Sequence, residues 1–351
     1  ERSSGCLVTN QDDFKTPATT SPPKGRLEEY CQDIRPRPHE RLRTFLYFLE
    51  FELEHWQEVD VTIVVHLSMD RFRALDELAS HWPGPMSVAL YLNEMDLSLF
   101  TELLQTTECL SKRKNVGYHL VFRDAGSNYP INRLRNIALN NVITPYVFMT
   151  DVDFLPGPSL YDYLKTVIKK MTDENGQDEP LRKRALIVPA FETNEYKFEY
   201  PSSKAELIKQ LDLGTLSKFR ESIWPRGQAA TDYERWKTAT KPYAINWKPE
   251  YEPFIVTSAD VIRYDERFNG FGWNKVEHIM KLAALDYEFY VLPEAFSIHQ
   301  FHPASYDISR HRESKKYQAC IRLLKQTFLL ELNQSYPKFM GNLTRRAVDS
   351  R

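Results

Sequence analysis

Short apolar segments alternate with amphipathic segments, and this pattern constrains the fold of the 351-residue chain more than any other feature. Four apolar runs lie between residues 59 and 150: VDVTIVVHL, MSVALYL, VGYHLVF and PYVFMT. The first three lead into segments with helical periodicity: MDRFRALDELASHW, DLSLFTELLQTT and INRLRNIALNN. Strands separated by helices predict βαβ crossovers and a parallel sheet covered by helices, so we expect an α/β fold.

The rest of the chain is less regular. Strands are predicted at ALIVPAFE, EPFIVTS and YEFYVLP, and helices at WNKVEHIMKLAAL, ESKKYQACIRLLKQTFLLEL and, upstream of the first strand, ERLRTFLYFLEFELEHW. Residues 1–38 are rich in Ser, Thr and Pro and predict a flexible stem. We expect one domain over residues 39–335 and a polar C-terminal tail over 336–351.

Charge and cysteine content narrow the class of protein. The formal net charge is −2, which argues against a nucleic-acid binder that depends on phosphate neutralisation. The spacing of the four cysteines fits no zinc pattern. Cys6 and Cys31 could bridge within the stem, whereas Cys109 and Cys320 could equally be free core residues. The sequence has no stretch of 18 apolar residues, so a membrane anchor would have to lie upstream of Glu1.

Asp151 and Asp153 follow the fourth apolar run, where ligands bind in open α/β sheets. Two carboxylates at the end of a buried strand are costly unless a cation compensates them. Hard divalent ions take carboxylate oxygens together with substrate phosphates, and manganese also accepts imidazole. The pair therefore predicts a metal site that holds a nucleotide diphosphate. The structural alternative is a turn that caps the following helix.

A second alternative is a phosphatase of the haloacid dehalogenase type, in which the first aspartate of such a pair attacks phosphorus. In that family Thr or Val normally lies two residues after the second aspartate, but this chain has Leu155. The pair also follows three βα units, which is late for that family.

Longer motifs make the chain resemble glycosyltransferase family 49, the family of the C-terminal domain of the LARGE proteins. The resemblance covers residues from about 60 to 330 and rests on motifs in the same order, among them LSMDR, HWPGPMSVALYL, YPINRLRNIAL, TPYVFMTDVDFLP, SKAELIKQLDLGTL, YDERFNGFGWNKVEHIM and SIHQFHPASYDISR. It implies a GT-A fold and inverting transfer of glucuronate from UDP-glucuronate to a xylose-terminated glycan of the matriglycan type. It further implies Mn²⁺, a Golgi lumenal location and a type II membrane anchor upstream of this chain.

The resemblance also implies roles for individual residues. Asp151, Asp153 and His299 match the metal ligands of the family, and His302 is a second choice for the histidine. The metal would neutralise the charge that builds on the departing UDP.

On the donor side, His66, Ser68 and Asp70 could reach the uridine, although Ser68 or Asp70 could instead cap a helix. Arg133 and Arg135 could pair with the glucuronate carboxylate, because a guanidinium matches a carboxylate as a planar fork. The stretch LRNIAL is similar to a donor-binding stretch of other glucuronyltransferases and favours Arg135, with Asn136 as a further donor contact.

The catalytic base is harder to assign. Many inverting GT-A enzymes carry it in an acidic motif after an aromatic–glycine turn, but here Asn274 and Lys275 follow that turn. Trp273 is predicted as a platform for a sugar ring, with Asn274 and Lys275 as acceptor contacts. The candidate bases are Glu252, which we favour, and Glu192, Asp265 and Glu277.

Two further functions stay open at this point. One keeps the fold and metal site but changes the UDP-sugar or the acceptor. The other is an inactive glycan-binding homologue, for which a metal–diphosphate site would have no use.

Overall fold

The computed structural model describes residues 31, 42–53, 58–123, 129–175, 181–195, 197–303 and 305–349. Apart from Cys31, the predicted stem lies outside these residues. The strands of the described part are β1 (Thr44–Phe45), β2 (Val61–Ser68), β3 (Met86–Leu92), β4 (Val116–Phe122), β5 (Tyr146–Met149), β6 (Phe154–Pro156), β7 (Arg184–Val188), β8 (Ala190–Glu192), β9 (Ser217–Lys218), β10 (Tyr243–Ile245), β11 (Phe254–Ser258), β12 (Glu288–Val291) and β13 (Ser297–His299). Its α-helices are α1 (Phe72–His81), α2 (Asp96–Thr106), α3 (Ile131–Asn140), α4 (Leu160–Asn175), α5 (Lys204–Leu213), α6 (Tyr233–Thr238), α7 (Val276–Ala284), α8 (Tyr306–Glu313), α9 (Lys315–Ser335) and α10 (Pro337–Asp349).

The main sheet has nine strands in the order β1-β4-β3-β2-β5-β11-β7-β12-β10. Its neighbours β4, β3, β2 and β5 are the four predicted strands, and they run parallel. Every residue of β3, β4 and β5 is buried. Continuous apolar runs are typical of parallel strands that are covered by helices on both faces. The predicted α/β class is confirmed.

The second half of the sheet is mixed, in keeping with the irregular sequence there. Strand β11 lies antiparallel between β5 and β7, and β10 is an antiparallel edge strand. Only β7 and β12 pair in parallel in this half.

A second sheet has four strands in the order β6-β13-β8-β9. The predicted strand ALIVPAFE divides at Pro189 into β7 of the main sheet and β8 of this one, because proline has no N–H for the ladder. Strand β13 pairs with β6 on one side and β8 on the other, so His299 lies between Phe154 and Glu192. This small sheet brings distant parts of the chain to the end of β5.

Apolar side chains fill both faces of the main sheet. Trp82 and Phe148 belong to the cluster on one face, and Trp236 and Tyr251 to the cluster on the other. Both tryptophans are fully buried, and each indole N–H donates to a backbone carbonyl, that of Pro85 or Leu292. These hydrogen bonds remove the cost of burying a polar group with the ring.

The helix predicted upstream of β2 is wrong for the described residues 42–53, which contain strand β1 instead. Strand β1 pairs antiparallel with β4, and the backbone N–H of Phe48 also donates to the carbonyl of Tyr118. Pairing with the open edge of β4 satisfies the backbone here and overrides the helical pattern of the side chains.

The C-terminal helices pack on the domain through a small core of their own. Phe339 of α10 lies 5.4 Å from Trp247, ring centre to ring centre, so residues 337–349 form a docked helix where the sequence predicts a polar tail. Cys31 forms a disulfide with Cys320 of α9, which corrects the suggested pairing of Cys31 with Cys6 and the suggestion that Cys320 is free. Cys109 is free, and none of the described helices has the length and hydrophobicity to cross a membrane.

Candidate active site

Asp151 lies two residues after the end of β5, in the centre of the main sheet at the carboxyl end of its parallel strands. Its two carboxylate oxygens accept hydrogen bonds from two cations, Arg135 Nη2 at 2.9 Å and Lys275 Nζ at 3.0 Å. Arg135 comes from α3 and Lys275 from the residue before α7. Burial alone would raise the pKa of the Asp151 carboxyl, but Lys275 and Arg135 hold that pKa well below its usual range. Asp151 is therefore ionised at neutral pH.

His66, near the end of β2, extends this group of side chains. Its Nδ1 lies 2.8 Å from the hydroxyl of Tyr129, and its Nε2 lies 3.7 Å from an oxygen of Asp151. Burial lowers the pKa of this imidazole, so it is neutral at physiological pH.

Asp153 forms a second group with two histidines, His299 at the end of β13 and His302 three residues beyond it. Its Oδ2 lies 2.6 Å from His302 Nε2 and 3.7 Å from His299 Nε2, and the two Nε2 atoms are 3.1 Å apart. One ligand atom from each of the three residues lies within 4.8 Å of the other two. The aspartate reaches this point from the loop between β5 and β6, and His299 is the last residue of β13.

The donor set of this cluster fits a divalent metal. One carboxylate oxygen and two imidazole nitrogens suit manganese and other first-row ions. In addition, Asp153 Oδ1 is buried and has no hydrogen-bond partner among the described residues. A buried acceptor that lacks a donor is costly, and a cation would compensate it. The cluster contains His302 as well as the predicted Asp153 and His299, whereas both oxygens of Asp151 face cations instead.

The predicted donor-binding residues occupy different environments. Ser68 donates to the carboxylate of Asp70, and Asp70 is exposed at the end of β2. Arg135 is buried and also donates to the side-chain oxygens of Asn132 and Asn274, at 3.0 and 2.9 Å. Arg133 is half-buried on the same helix.

Asn136 holds the polypeptide that follows β11. Its amide nitrogen donates to the Tyr264 carbonyl, and its amide oxygen accepts from the Tyr264 N–H, both at 2.9 Å. The same nitrogen lies 2.9 Å from a carboxylate oxygen of Glu266. The amide thus fixes the segment that leads to the Gly270–Lys275 loop.

The predicted acceptor-binding residues all lie in this loop. Trp273 has a φ of 61°, in the left-handed region, and Lys325 lies over its ring at 4.4 Å from the centroid. Asn274 bridges the carbonyl of Gly270 and the guanidinium of Arg135. Lys275 reaches Asp151 and lies 3.7 Å above the centre of the Phe254 ring. The loop therefore brings side chains into contact with the Asp151 group.

The four candidate bases differ in electrostatics. Asp265 accepts from Arg267 at 2.6 Å, and although burial opposes it, this contact lowers the pKa of the Asp265 carboxyl. Glu192 accepts the backbone N–H of Arg220 at 2.9 Å, and burial raises its pKa. Burial likewise raises the pKa of Glu252, against the charge of Lys275. Glu277 is fully buried and accepts a hydrogen bond from the Asn132 amide, and burial raises the pKa of its carboxyl to about 7.

Two features of the site were not predicted from sequence. His302 lies beside Asp153 together with His299 rather than standing as an alternative to it, and the histidine spacing H-Q-F-H was the available signal. Arg220 lies next to Glu192 through its backbone, and no motif in the sequence points to it.

Comparison with known proteins identifies the family. The sequence model of a family described as "Glycosyl-transferase for dystroglycan" matches residues 60–128 and 123–337. The chain belongs to this family. The protein is therefore a glycosyltransferase, as the resemblance implied, and its fold is of the predicted α/β class.

Curated relatives share much of this sequence. Xylosyl- and glucuronyltransferase LARGE2 of Mus musculus is 49% identical over 309 residues, which cover 88% of this chain and 44% of the relative. Xylosyl- and glucuronyltransferase LARGE1 of Homo sapiens is 44% identical over 310 residues, which cover 88% of this chain and 40% of the relative. The chain thus spans less than half the length of these relatives.

Solved structures resemble it more distantly. TarS of S. aureus in complex with UDP-GlcNAc has a TM-score of 0.44 at 11% identity, over 76% of this chain and 65% of that one. GalNAc-T7 with UDP, GalNAc and Mn²⁺ has a TM-score of 0.45 at 10% identity, over 75% of this chain and 47% of that one.

Proposed function

We propose that this chain is an inverting, metal-dependent glucuronyltransferase. It would transfer glucuronic acid from UDP-glucuronate to a glycan that ends in xylose, with a β linkage of the matriglycan type. The observation that carries the proposal is the Asp153–His299–His302 cluster beside Asp151 at the end of β5, in a chain of this glycosyltransferase family. The relatives are named for both xylosyl and glucuronyl transfer, so the choice of donor is the point to be tested.

Mn²⁺ is the metal we propose, held by Asp153, His299 and His302. When bound, it would act as a Lewis acid on the diphosphate of the donor. We place Asp151 outside the first coordination shell, because both of its oxygens already accept hydrogen bonds from cations. Arg135 and Lys275 then add two positive charges near the point where the leaving diphosphate gains negative charge.

We propose Glu252 as the general base. It lies two residues before β11; its backbone N–H donates to the Gly227 carbonyl, and its carbonyl accepts from the Gln228 side chain. Burial raises the pKa of its carboxyl, which makes the ionised form a stronger base. In the inverting step Glu252 would take the proton of the acceptor hydroxyl while the hydroxyl oxygen bonds to C1 of glucuronate. The C1–oxygen bond to UDP breaks on the opposite face, and UDP keeps the electron pair.

We propose a location in the Golgi lumen, with the chain held by a type II membrane anchor outside this sequence. The disulfide between Cys31 and Cys320 supports an oxidising compartment, because disulfides are rare in the cytosol. The two Asn-x-Ser/Thr triplets begin at Asn333 and Asn342, which are both exposed and therefore accessible to glycosylation.

Release of UDP from a panel of UDP-sugars tests the proposal. The protein is incubated with Mn²⁺ and each donor, with and without a xylose-terminated acceptor. We expect release only with UDP-glucuronate plus acceptor, and loss of that release in Asp153→Ala. Release with UDP-xylose would replace glucuronyl transfer by the other activity in the relatives' names. Glycan binding without any release would indicate an inactive homologue.

A further inference from the structure

Arg220 adjoins Phe219, which contacts a residue of the proposed metal site, and it has no role in the chemistry proposed above. It follows β9, the edge strand of the small sheet. The preceding residue, Phe219, packs against His299 with ring centres 5.3 Å apart and against Phe154 at 4.8 Å. The contacts of Phe219 therefore hold the neighbouring Arg220 close to His299, a proposed metal ligand, and to Phe154, the residue after another.

The backbone of Arg220 is fixed in an unusual conformation. Its φ is 54°, in the left-handed region that residues other than glycine rarely adopt. Its backbone N–H donates to a carboxylate oxygen of Glu192 at 2.9 Å. Glu192 in turn pairs with His299 in the register of β8 and β13. Strained backbone that persists in this way is concentrated at binding and catalytic sites.

The guanidinium of Arg220 makes cation–π contacts with two aromatic rings. Its central carbon is 5.4 Å from the centroid of Phe219 and 5.8 Å from that of Phe271. Phe271 belongs to the same loop as Lys275. The Arg220 side chain therefore extends from the small sheet to the Gly270–Lys275 loop. Stacking of this kind orients a guanidinium and leaves its N–H edge free to bind a ligand.

Other cations of the site are already engaged. Arg135 donates to three side-chain oxygens, and Lys275 donates to Asp151. By contrast, no carboxylate oxygen of the described residues lies within 4.0 Å of a nitrogen of Arg220. Burial raises the pKa of the Glu252 carboxyl, and the positive charges of Lys275 and Arg220 oppose that rise. Arg220 therefore lies close enough to the proposed base for its charge to act on that carboxyl.

We propose that Arg220 binds the carboxylate of a uronate sugar and so determines specificity for it. This inference rests on the proposed glucuronyl transfer and names the residue that recognises the uronate. A planar guanidinium can donate two parallel hydrogen bonds to a carboxylate, and it does not bind the uncharged CH₂OH group of the matching hexose as strongly. The carboxylate could belong to the donor or to a uronate in the acceptor glycan, and both sources present the same chemistry.

Calorimetric titration in Mn²⁺ compares UDP, UDP-glucose and UDP-glucuronate on the wild type, Arg220→Gln and Arg220→Lys. If the donor supplies the carboxylate, Arg220→Gln should weaken UDP-glucuronate binding by about 10- to 100-fold and leave UDP and UDP-glucose unchanged. Arg220→Lys keeps the charge but loses the fork, so its loss should be smaller. The matched control is Arg235→Gln, because Arg235 is exposed and also stacks on a ring, that of Tyr243 at 4.2 Å.

Steady-state kinetics with two acceptors separate the two sources of carboxylate. One acceptor is a simple xyloside, and the other carries a glucuronate next to its terminal xylose. An Arg220→Gln defect confined to the KM for the second acceptor would assign the arginine to the acceptor uronate and support the inference.

Three results would overturn the inference. In the first, Arg220→Gln leaves all constants unchanged. In the second, it weakens UDP and UDP-glucose as much as UDP-glucuronate. In the third, Arg133→Gln rather than Arg220→Gln loses UDP-glucuronate selectively. A wild type that neither prefers nor turns over UDP-glucuronate would instead contradict the proposed function itself.

Discussion

Replacement of Arg135 by alanine should destabilise the protein far more than removal of an exposed arginine with a shorter ion pair. The Arg135 side chain is only 8% exposed and neutralises Asp151 at 2.9 Å. Its loss leaves one fewer cation against the Asp151 carboxylate, whose side chain is 28% exposed, and removes the donors to Asn132 and Asn274. Breaking a fully buried pair costs about 3–5 kcal/mol, and because Lys275 still pairs with Asp151 we expect a loss at the lower end of that range.

Arg43→Ala is the matched control. Arg43 pairs with Glu94 at 2.7 Å, but the two side chains are 53% and 76% exposed. Exposed pairs contribute only about 0–1 kcal/mol, so distance alone would rank the two variants in the wrong order. Urea unfolding followed by tryptophan fluorescence gives the free energy of unfolding of each variant.

A double variant checks that the cost arises from the carboxylate that has lost a cation. In Arg135→Ala with Asp151→Asn the negative charge of residue 151 is absent, so the combined loss should be smaller than the sum of the single losses. An Arg135→Ala loss below about 1 kcal/mol, or strictly additive losses, would refute the electrostatic reasoning.

Four further predictions follow from the structure. Glu252→Gln should lower kcat by about 10²- to 10⁴-fold in the UDP-release assay with UDP affinity unchanged, and a near-normal kcat would exclude Glu252 as the base. His302→Ala should weaken Mn²⁺ binding in an EPR titration by at least about 10-fold, and unchanged binding would remove His302 from the metal site. Cys320→Ser should lower the free energy of unfolding by about 2–5 kcal/mol, because the disulfide links residues 289 positions apart, and the same stability with and without reductant in the wild type would contradict this. The Glu277 carboxyl has a pKa of about 7 in the folded protein against 4.5 when unfolded, so the free energy of unfolding should fall as pH rises from 4.5 to 7. Urea unfolding at several pH values should show a flatter slope in Glu277→Gln, and an unchanged slope would contradict the prediction.

Local sequence patterns predict the first half of the fold well. The runs that form β2, β3, β4 and β5 are mostly apolar, and each of the first three is followed by a segment of helical period, so both element type and parallel pairing follow from them. Where backbone pairing competes with side-chain period, the sequence misleads. Residues 42–53 carry a helical pattern, but Thr44–Phe45 pair with the open edge of β4 as strand β1. Pairing across that distance in the chain is not visible from local spacing.

Some residues of the candidate site can be predicted from the sequence, and others cannot. Asp151 and Asp153 are recognisable because charge rarely ends a buried strand, and His299 follows from the family motif. The disulfide of Cys31 with Cys320 could not be deduced, since four cysteines allow several pairings. Nor could Arg220, because its place beside Glu192 depends on the pairing of β8 with β9.

Mass spectrometry of the acceptor after reaction tests the central claim most directly. A xylose-terminated acceptor is incubated with the protein, Mn²⁺ and an equimolar mixture of UDP-glucuronate, UDP-xylose and UDP-glucose. We expect an acceptor that gains one glucuronate residue, and no such product from Asp153→Ala or without the metal. An acceptor that gains xylose or glucose instead, or a glucuronate product that forms equally well in Asp153→Ala, would contradict it.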